Sequence, residues 1–586
     1  MRQWMVAAKK ADFYAIAEKF HVDPVVARII RNREVIGEKN IRIYLGGNLS
    51  DLSDPHQMKD MDRLVEILAQ KIRKQVRIRI IGDYAVDGVT SSHLFLTALR
   101  RVGAKVDVVI PHRIQDGYGL SLHLLQQAKE DGVDTILTCD NGIAAIDEIA
   151  WAKAQKMTVL VTDHHAVPFE EHEGRRTEKK SLADAVVNPH QQDCGYPYKE
   201  LCGAGVAWNV IRVLYENYDM DKREAEDLLD FVAMATVCDV MSLTGENRIL
   251  VKEGLKRIRH TKNIGLQALM QACNVQPENI SAYHFGYVLG PCVNATGRLD
   301  TARHALRLFE TGQETEAEEI ARDLVDLNQE RKELTLQGVE MAKKLCEEGG
   351  YENDPVLVLF LPDVHESIAG LIAGRIREMY NRPVFVLTRG EEGVKGSGRS
   401  TENYSMYENM CGCVELFTKF GGHPMAAGLS LPEENVEKFR RKINENCPLT
   451  VEEVCPDIHI DMAMPVGYAS TELVHQFALL EPFGKDNPSP LFADRNLSIS
   501  RMWLIGKNRN VLRMSVLSEY GQPVPVIFFG DVETLFAYFT EKFGQEEVEN
   551  ALHGRKNRIL FSMVYTAKID FYQGNENLQL EMKYYR

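Results

Sequence analysis

Nowhere along the 586 residues do enough apolar side chains run together to cross a bilayer, which takes ~18 or more in succession. The opening, MRQWMVAAKKADFYAIAEKF, has no apolar h-region either, so the expectation is a cytoplasmic protein with no membrane attachment. Cysteine is present but scattered. Its 11 copies include no CxxC pair, and only Cys411 and Cys413 lie close together, which excludes a zinc ribbon or a secreted disulfide framework and leaves free thiols. The chain also lacks a Walker loop and a GxGxxG fingerprint, since Gly396-Ser397-Gly398-Arg399 has neither the Lys-Ser/Thr ending nor the spacing. No nucleotide cofactor is implied. Low-complexity tracts and internal repeats are missing too.

Positive charge is in short supply: the net charge of −15 weighs against nucleic acid, because phosphate binding draws on Lys and Arg displacing counterions. Aspartates gathered into a metal site would inflate that figure, and a groove needs only local positive charge, so the balance does not decide the class. Hydrophobic residues at 45% and charged residues at 26% describe an ordinary folded chain. Its length exceeds the roughly 250–300 residues at which single cores stop growing, so several packed units are expected.

Residues 1–70 read as a helical arm ending in the polar stretch NLSDLSDPHQMKD. From there VRIRIIGDY, KVDVVIP, DTILTCD and MTVLVTD are short β-branched runs separated by helix-like segments, the grammar of a parallel sheet with crossover helices over 71–312. Three of the four runs carry Asp at their last or next-to-last position, at the carboxyl edge where open α/β sheets bind ligands. A long charged amphipathic stretch within 313–350 reads as a connecting helix, and a second α/β unit occupies 351–450, with VLVLFLP and PVFVLT as strands. Within 451–586, alternating segments such as LSISRMWLI, VLRMSVL and RILFSMVY predict a small antiparallel barrel or sandwich.

Four loops carry chemistry: Asp83-Tyr84-Ala85-Val86-Asp87, Asp140-Asn141-Gly142, Asp163-His164-His165, and Asp239 after Cys238. Hard divalent ions take carboxylate oxygens and an occasional imidazole, and a pair of ions ~3.5–4 Å apart needs a bridging carboxylate. One Asp after a strand is more often a helix cap. Four such loops in order point instead to a metal-assisted phosphoesterase. His93 reads as an ordinary helix residue, Tyr84 and Tyr118 as packing, and Trp503, Phe528 and Phe529 as core more than as base-stacking platforms.

The triplet Asp163-His164-His165 resembles the signature of the DHH phosphoesterases. Among them, the RecJ exonuclease family is similar over nearly the whole chain. Its motifs stand here as Pro111-His112-Arg113 with Gly117-Tyr118-Gly119-Leu120, Leu201-Cys202-Gly203-Ala204-Gly205, Gly245-Glu246-Asn247-Arg248, and Asn294-Ala295-Thr296-Gly297-Arg298. They continue as His365-Glu366-Ser367-Ile368-Ala369-Gly370, Gly396-Ser397-Gly398-Arg399-Ser400, Gly421-Gly422-His423 and Leu480-Glu481-Pro482-Phe483-Gly484.

The resemblance implies an α/β fold: a parallel-sheet DHH domain and a smaller α/β DHH-associated domain joined by a long helix, then a β-rich OB-like domain. It implies a 5′→3′ exonuclease that degrades single-stranded DNA to mononucleotides with two Mn²⁺ or Mg²⁺ ions, in repair and recombination. One ion would take Asp83, position 85 and Asp140; the other would take Asp87, Asp140, His164 and Asp239, with Asp140 as the bridge. His165 would contact the scissile phosphate beside Asp140 and His164. Arg298, Ser397, Arg399 and His423 would hold a 5′-phosphorylated end, with Arg113 along the strand. Candidate protein partners are a single-strand-binding protein or a helicase.

The family pattern has an aspartate at position 85, where this chain has Ala85. A methyl group has no lone pair, so one ion should be weakened and cleavage impaired while strand binding survives. Two origins are open, a substitution introduced to trap substrate and a natural variant; the intact neighbouring motifs favour the first. Two other classes stay in view. One is a catalytically silent single-strand-binding or scaffold protein. The other is a DHH enzyme for pyrophosphate, cyclic dinucleotides or short oligonucleotides, which would need no OB-like domain.

Overall fold

The computed structural model describes residues 3–112, 116, 119–172, 175–299, 302–390, 393–506, 510–572 and 574–586. The chain divides into two compact units, Asn48–Pro456 and Arg2–Gly47 together with Asp457–Arg586.

The larger unit opens on a sheet of five parallel strands, β1 (Arg77–Ile81), β2 (Lys105–Val109), β3 (Thr135–Cys139), β4 (Thr158–Thr162) and β5 (Ala185–Val187), in the order β2-β1-β3-β4-β5. The order reverses at β1, which makes the carboxyl ends of β1 and β3 a topological switch point. Register holds those ends level, with Ile81 opposite Thr138 and Cys139 opposite Thr162. The loops after β1, β3 and β4 therefore emerge side by side. The three-residue β5 escapes a sequence reading because so short a run carries little periodicity.

Helices α1 (Val86–Arg101) and α2 (Gly203–Asn217) pack on this sheet, and α3 (Leu229–Cys238) and α4 (Gly290–Leu299) pack on α1. The long helix α5 (Glu314–Glu348) buries Ala317, Ile320 and Leu324 in the first core and Val339, Ala342 and Cys346 in the next, so one amphipathic face serves two cores. Beyond it lies a second sheet made of β6 (Leu357–Phe360), β7 (Val384–Gly390), β8 (Gly393–Arg399), β9 (Lys419–His423) and β10 (Ala426–Leu431), in the order β9-β10-β8-β7-β6. Helix α6 (Ala369–Tyr380) packs on β7 and β8. His93 is indeed a core residue of α1, its ring 4.4 Å from that of Phe231 and 5.8 Å from that of Phe309, and burial pushes its pKa down to about 3.

The smaller unit contains β11 (Phe492–Ile505), β12 (Val511–Leu517), β13 (Pro523–Phe528), β14 (Leu560–Tyr572) and β15 (Asn575–Tyr585). They run in the order β11-β12-β13-β15-β14, and β14 pairs back onto β11, so the expected barrel-or-sandwich is a closed barrel. Phe528 is in its core, Trp503 half-buried and Phe529 exposed.

The compact division does not follow the boundary expected near residue 70. Val25, Val26, Ile29, Ile41 and Tyr44 share the barrel's core, whereas Met61, Leu64, Val65 and Leu68 share that of the parallel sheet. The expected helical arm thus contributes to both units. Local amphipathicity shows that a helix will be buried but does not name its partner. Among the described residues no helix is long and apolar enough to cross a membrane.

Candidate metal centre

The site begins with loops that local chemistry keeps short. Ala85 is the residue preceding α1, with φ −77° and ψ 168°, and its side chain makes no cap hydrogen bond. Neighbours take the N–H groups just ahead of those a cap would serve: the Asp83 carboxylate accepts from Ala85 N at 3.1 Å, and Asn294 Oδ1 of α4 accepts from Val86 N at 3.1 Å. Asp87, in the first turn of α1, is 2% exposed; its Oδ2 accepts from Gly203 N at 2.6 Å and its Oδ1 from Ala204 N at 2.7 Å. The amino terminus of α2 thereby holds this carboxylate through its unpaired N–H groups and its dipole.

Asp140 follows β3 in the left-handed conformation, with φ 61°, a sparsely populated region for a non-glycine residue. Gly203 packs so closely on it that a Cβ there would meet Asp140 Cβ at 2.7 Å. Asp163, after β4, faces inward. Its Oδ1 accepts from His164 N at 2.7 Å and His165 N at 3.1 Å and lies 2.7 Å from His165 Nδ1, and its Oδ2 accepts from Ile143 N at 2.9 Å. Asp163 therefore shapes the loop that presents both histidines.

His164 is the meeting point. Its Nε2 lies 3.0 Å from Asp140 Oδ1, 3.6 Å from Asp87 Oδ2 and 3.6 Å from Asp239 Oδ2. That nitrogen is buried and makes no hydrogen bond of acceptable geometry, although three carboxylates surround it. An imidazole lone pair and carboxylate oxygens aimed at one small volume form a donor set for a hard divalent cation, so the residues fit such an ion. Asp87, His164 and Asp239 form one cluster of possible ligands, and Asp140, His164 and His165 another, each with ligand atoms within 4.8 Å of one another. Asp83 is fully buried but belongs to neither cluster. Asp239 sits at the carboxyl end of α3 with its side chain 35% exposed.

The electrostatics agree with the geometry. Burial, followed by the charges of Asp87, Asp239 and Asp83, holds the Asp140 carboxyl well above its usual range. Burial opposes a charged His165 ring, but the hydrogen bond and charge of Asp163 outweigh it and raise His165 to about 9. Asp163 itself is held below the usual carboxylate range despite its burial, chiefly by the bond to His165.

Family models match the chain in three places: the DHH family N-terminal domain over residues 77–236, the DHHA1 domain over 353–447 and the RecJ OB domain over 460–584. The single-stranded-DNA-specific exonuclease RecJ of Haemophilus influenzae is 32% identical over 582 residues, covering 96% of each chain. The chain belongs to the RecJ family. The RecJ of Bacillus subtilis is 32% identical over 512 residues, which are 87% of this chain and 63% of that protein's length. The crystal structure of the RecJ of Thermus thermophilus in complex with Mn²⁺ matches with a TM-score of 0.79 at 25% identity, covering 100% of this chain and 79% of that one.

Several RecJ-family motifs support the site without facing it. Cys202-Gly203-Ala204 forms the helix start that grips Asp87. In the segment containing Asn294, the asparagine ties α4 to the first loop, and a Cβ on Gly297 would meet Tyr84 O at 2.8 Å. Glu246 and Asn247 are buried and serve the interior: Glu246 binds Tyr196 OH at 2.5 Å, and Asn247 donates to Ser242 O at 3.1 Å. The motif glycines and polar residues were legible; which of them face solvent was not.

Of the expected phosphate-binding residues, Arg298 donates to Ser367 O at 2.5 Å, linking α4 to the turn before α6. Arg399 donates to Gly398 O at 2.7 Å and lies so close to Gly370 that a Cβ there would meet its Nη2 at 2.8 Å. Ser397 lines a cavity of about 450 Å³ with Tyr84, Ser367, Lys395 and Lys419. His423, at the end of β9, is exposed and does not line that cavity. Arg113 lies outside the described residues, as does Tyr118. Asp163 is the residue the ligand assignment passed over; its place in the DHH triplet was the available signal.

Proposed function

We propose that this chain is a metal-dependent 5′→3′ exonuclease of single-stranded DNA, releasing mononucleotides in DNA repair and recombination, and that Ala85 impairs its hydrolytic step. The observation that carries this reading is the convergence of Asp87, Asp140 and Asp239 on the buried Nε2 of His164. Asp87, Asp140, His164 and Asp239 would hold one divalent ion, Mn²⁺ or Mg²⁺, while Asp83 and Asp140 hold the second with a ligand missing at position 85. Bound ions of this class lower the pKa of water and neutralise charge on a phosphodiester.

The chain's own residues do the positioning. Asp163 fixes His165 through Nδ1, leaving Nε2 to donate to a phosphate oxygen. The α2 amino terminus orients Asp87 through two N–H donors. Arg298, Ser397, Arg399 and His423 would face a 5′-phosphorylated end, and Arg113 the strand beyond it. A single-strand-binding protein or helicase is the candidate cellular partner on the same reading. The exonuclease names of the relatives support this assignment.

A catalytically silent single-strand-binding protein is favoured by one observation, the missing carboxylate at position 85. Mononucleotide release by Ala85→Asp and by the parent chain, each with Mn²⁺, separates the two. Release only after restoration supports the exonuclease; a restored chain that binds Mn²⁺ and DNA yet releases nothing supports the silent protein.

A further inference from the structure

Eleven free cysteines include one pair in contact among the described residues: Cys273 and Cys292, whose sulfurs are 3.7 Å apart. Cys273 caps the carboxyl end of the helix Ile264–Ala272 and is half-buried, while Cys292 lies in the first turn of α4 and is 2% exposed. Both helices pack on α5, from which Asn328 donates an amide N–H to Cys292 Sγ at 3.3 Å. We propose that Cys273 and Cys292 form a reversible oxidation site, which a hydroperoxide converts to a disulfide that pulls α4 against the helix Ile264–Ala272.

The neighbourhood supports a division of labour. The hydrogen bond from Cys273, and after it the Asn328 amide and the charges of Lys332 and Arg331, hold the Cys292 thiol below its usual range against the effect of burial. Cys292, the thiol held towards ionisation while Cys273 is pushed up by their hydrogen bond and by burial, takes one oxygen from the hydroperoxide: the O–O bond breaks, an alcohol or water leaves, and the sulfur becomes a sulfenic acid. Cys273, the sulfur nearer solvent, then attacks it, the S–O bond breaks, and hydroxide departs as water with the Cys273 proton. In sum, two thiols lose two electrons and two hydrogens to one peroxide.

Closing the sulfurs from 3.7 Å to the about 2 Å of a disulfide would draw the two helix ends together. Helix α4 also carries Asn294, which accepts from Val86 N, and Gly297, which touches the Tyr84 carbonyl. Oxidation should therefore loosen the support of the loop containing Asp83 and Asp87. The thiol chemistry stands whether or not that loop holds a metal.

The test is peptide mapping of the full chain after mild hydrogen peroxide treatment and alkylation, with hydrogen exchange of the 82–88 segment. The expected result is a Cys273–Cys292 cross-link, an intact mass lower by two hydrogens and restored by reductant, and faster exchange at the Val86 amide in the oxidised form. Cys273→Ser, at the half-buried position, should abolish both changes. The proposal is overturned if both cysteines remain alkylated, if they oxidise without linking, or if the link forms and the Val86 amide is unaffected.

Discussion

Ala85→Asp adds a carboxylate at a backbone position that accepts one without strain, since φ −77° and ψ 168° are extended values. Two opposing effects follow when no divalent ion is present. An aspartate at the N-cap of α1 contributes about 1 kcal/mol by capping. Against this, the Asp83 carboxylate already lies 3.1 Å from the backbone nitrogen of residue 85. A second carboxylate ~5 Å from it would cost about 3 kcal/mol at an effective dielectric constant near 20.

The variant should therefore be less stable than the parent in chelator, by about 2 kcal/mol. Mn²⁺ at ~100 times its dissociation constant would return about 2.7 kcal/mol, so the order of thermal midpoints should close or invert when metal is added. A divalent ion contributes several kcal/mol to the transition state, which converts to a gain in nucleotide release on the order of 10²–10³-fold. Calorimetry with Mn²⁺ should show a second tight site in the variant. Ala85→Asn separates capping from charge: it should stabilise the metal-free protein by ~1 kcal/mol and restore no activity. The ligand assignment is refuted if the Ala85 chain is already as fast as the variant, or if both bind the same number of ions.

Asp163→Asn should lower the His165 pKa from about 9 towards its ordinary value. A raised folded-state pKa stabilises fully below pH ~6.5, and that contribution is lost as pH rises through about 9. The parent's advantage over the variant, on the order of 1–2 kcal/mol after discounting for a ring 40% exposed, should thus shrink across that window in chelator-treated protein. A pH-independent difference in thermal midpoint would contradict the pairing. Gly203→Ala places a methyl 2.7 Å from Asp140 Cβ and 2.9 Å from its Cα. It should cost about 1–3 kcal/mol and displace the N–H groups holding Asp87. Calorimetry should show Mn²⁺ affinity falling about tenfold or more, a shift of ~1.4 kcal/mol; unchanged affinity would show that the α2 amino terminus does not position the site. Arg399→Ala should weaken discrimination between 5′-phosphorylated and 5′-hydroxyl oligonucleotides by roughly 10-fold in affinity, the worth of a charge-assisted hydrogen bond. Equal discrimination in a binding titration would remove Arg399 from the 5′ end.

Aspartates at the ends of β-branched runs, the DHH triplet, the long amphipathic α5 and the alternating barrel strands were legible in the sequence, because each is a pattern within a few residues of itself. So was the oddity of Ala85, which stands inside an otherwise complete motif. Other features depended on contacts between distant segments. Asp239 ends a helix and not a strand, and only the packing of α3 brings its Oδ2 to 3.6 Å from His164 Nε2. Asp87 owes its orientation to backbone N–H groups of Gly203 and Ala204, donors that every residue but proline possesses and that no local pattern advertises. Asp163 stood outside the expected ligand set with no role assigned to it, and the turn after β4 points it inward to hold the two histidines. Residues near the amino terminus read as one arm because helical periodicity records that a face is buried, not which core buries it. Local sequence determined which groups could bind metal and phosphate; tertiary packing decided which of them converge, because convergence is set by long-range geometry.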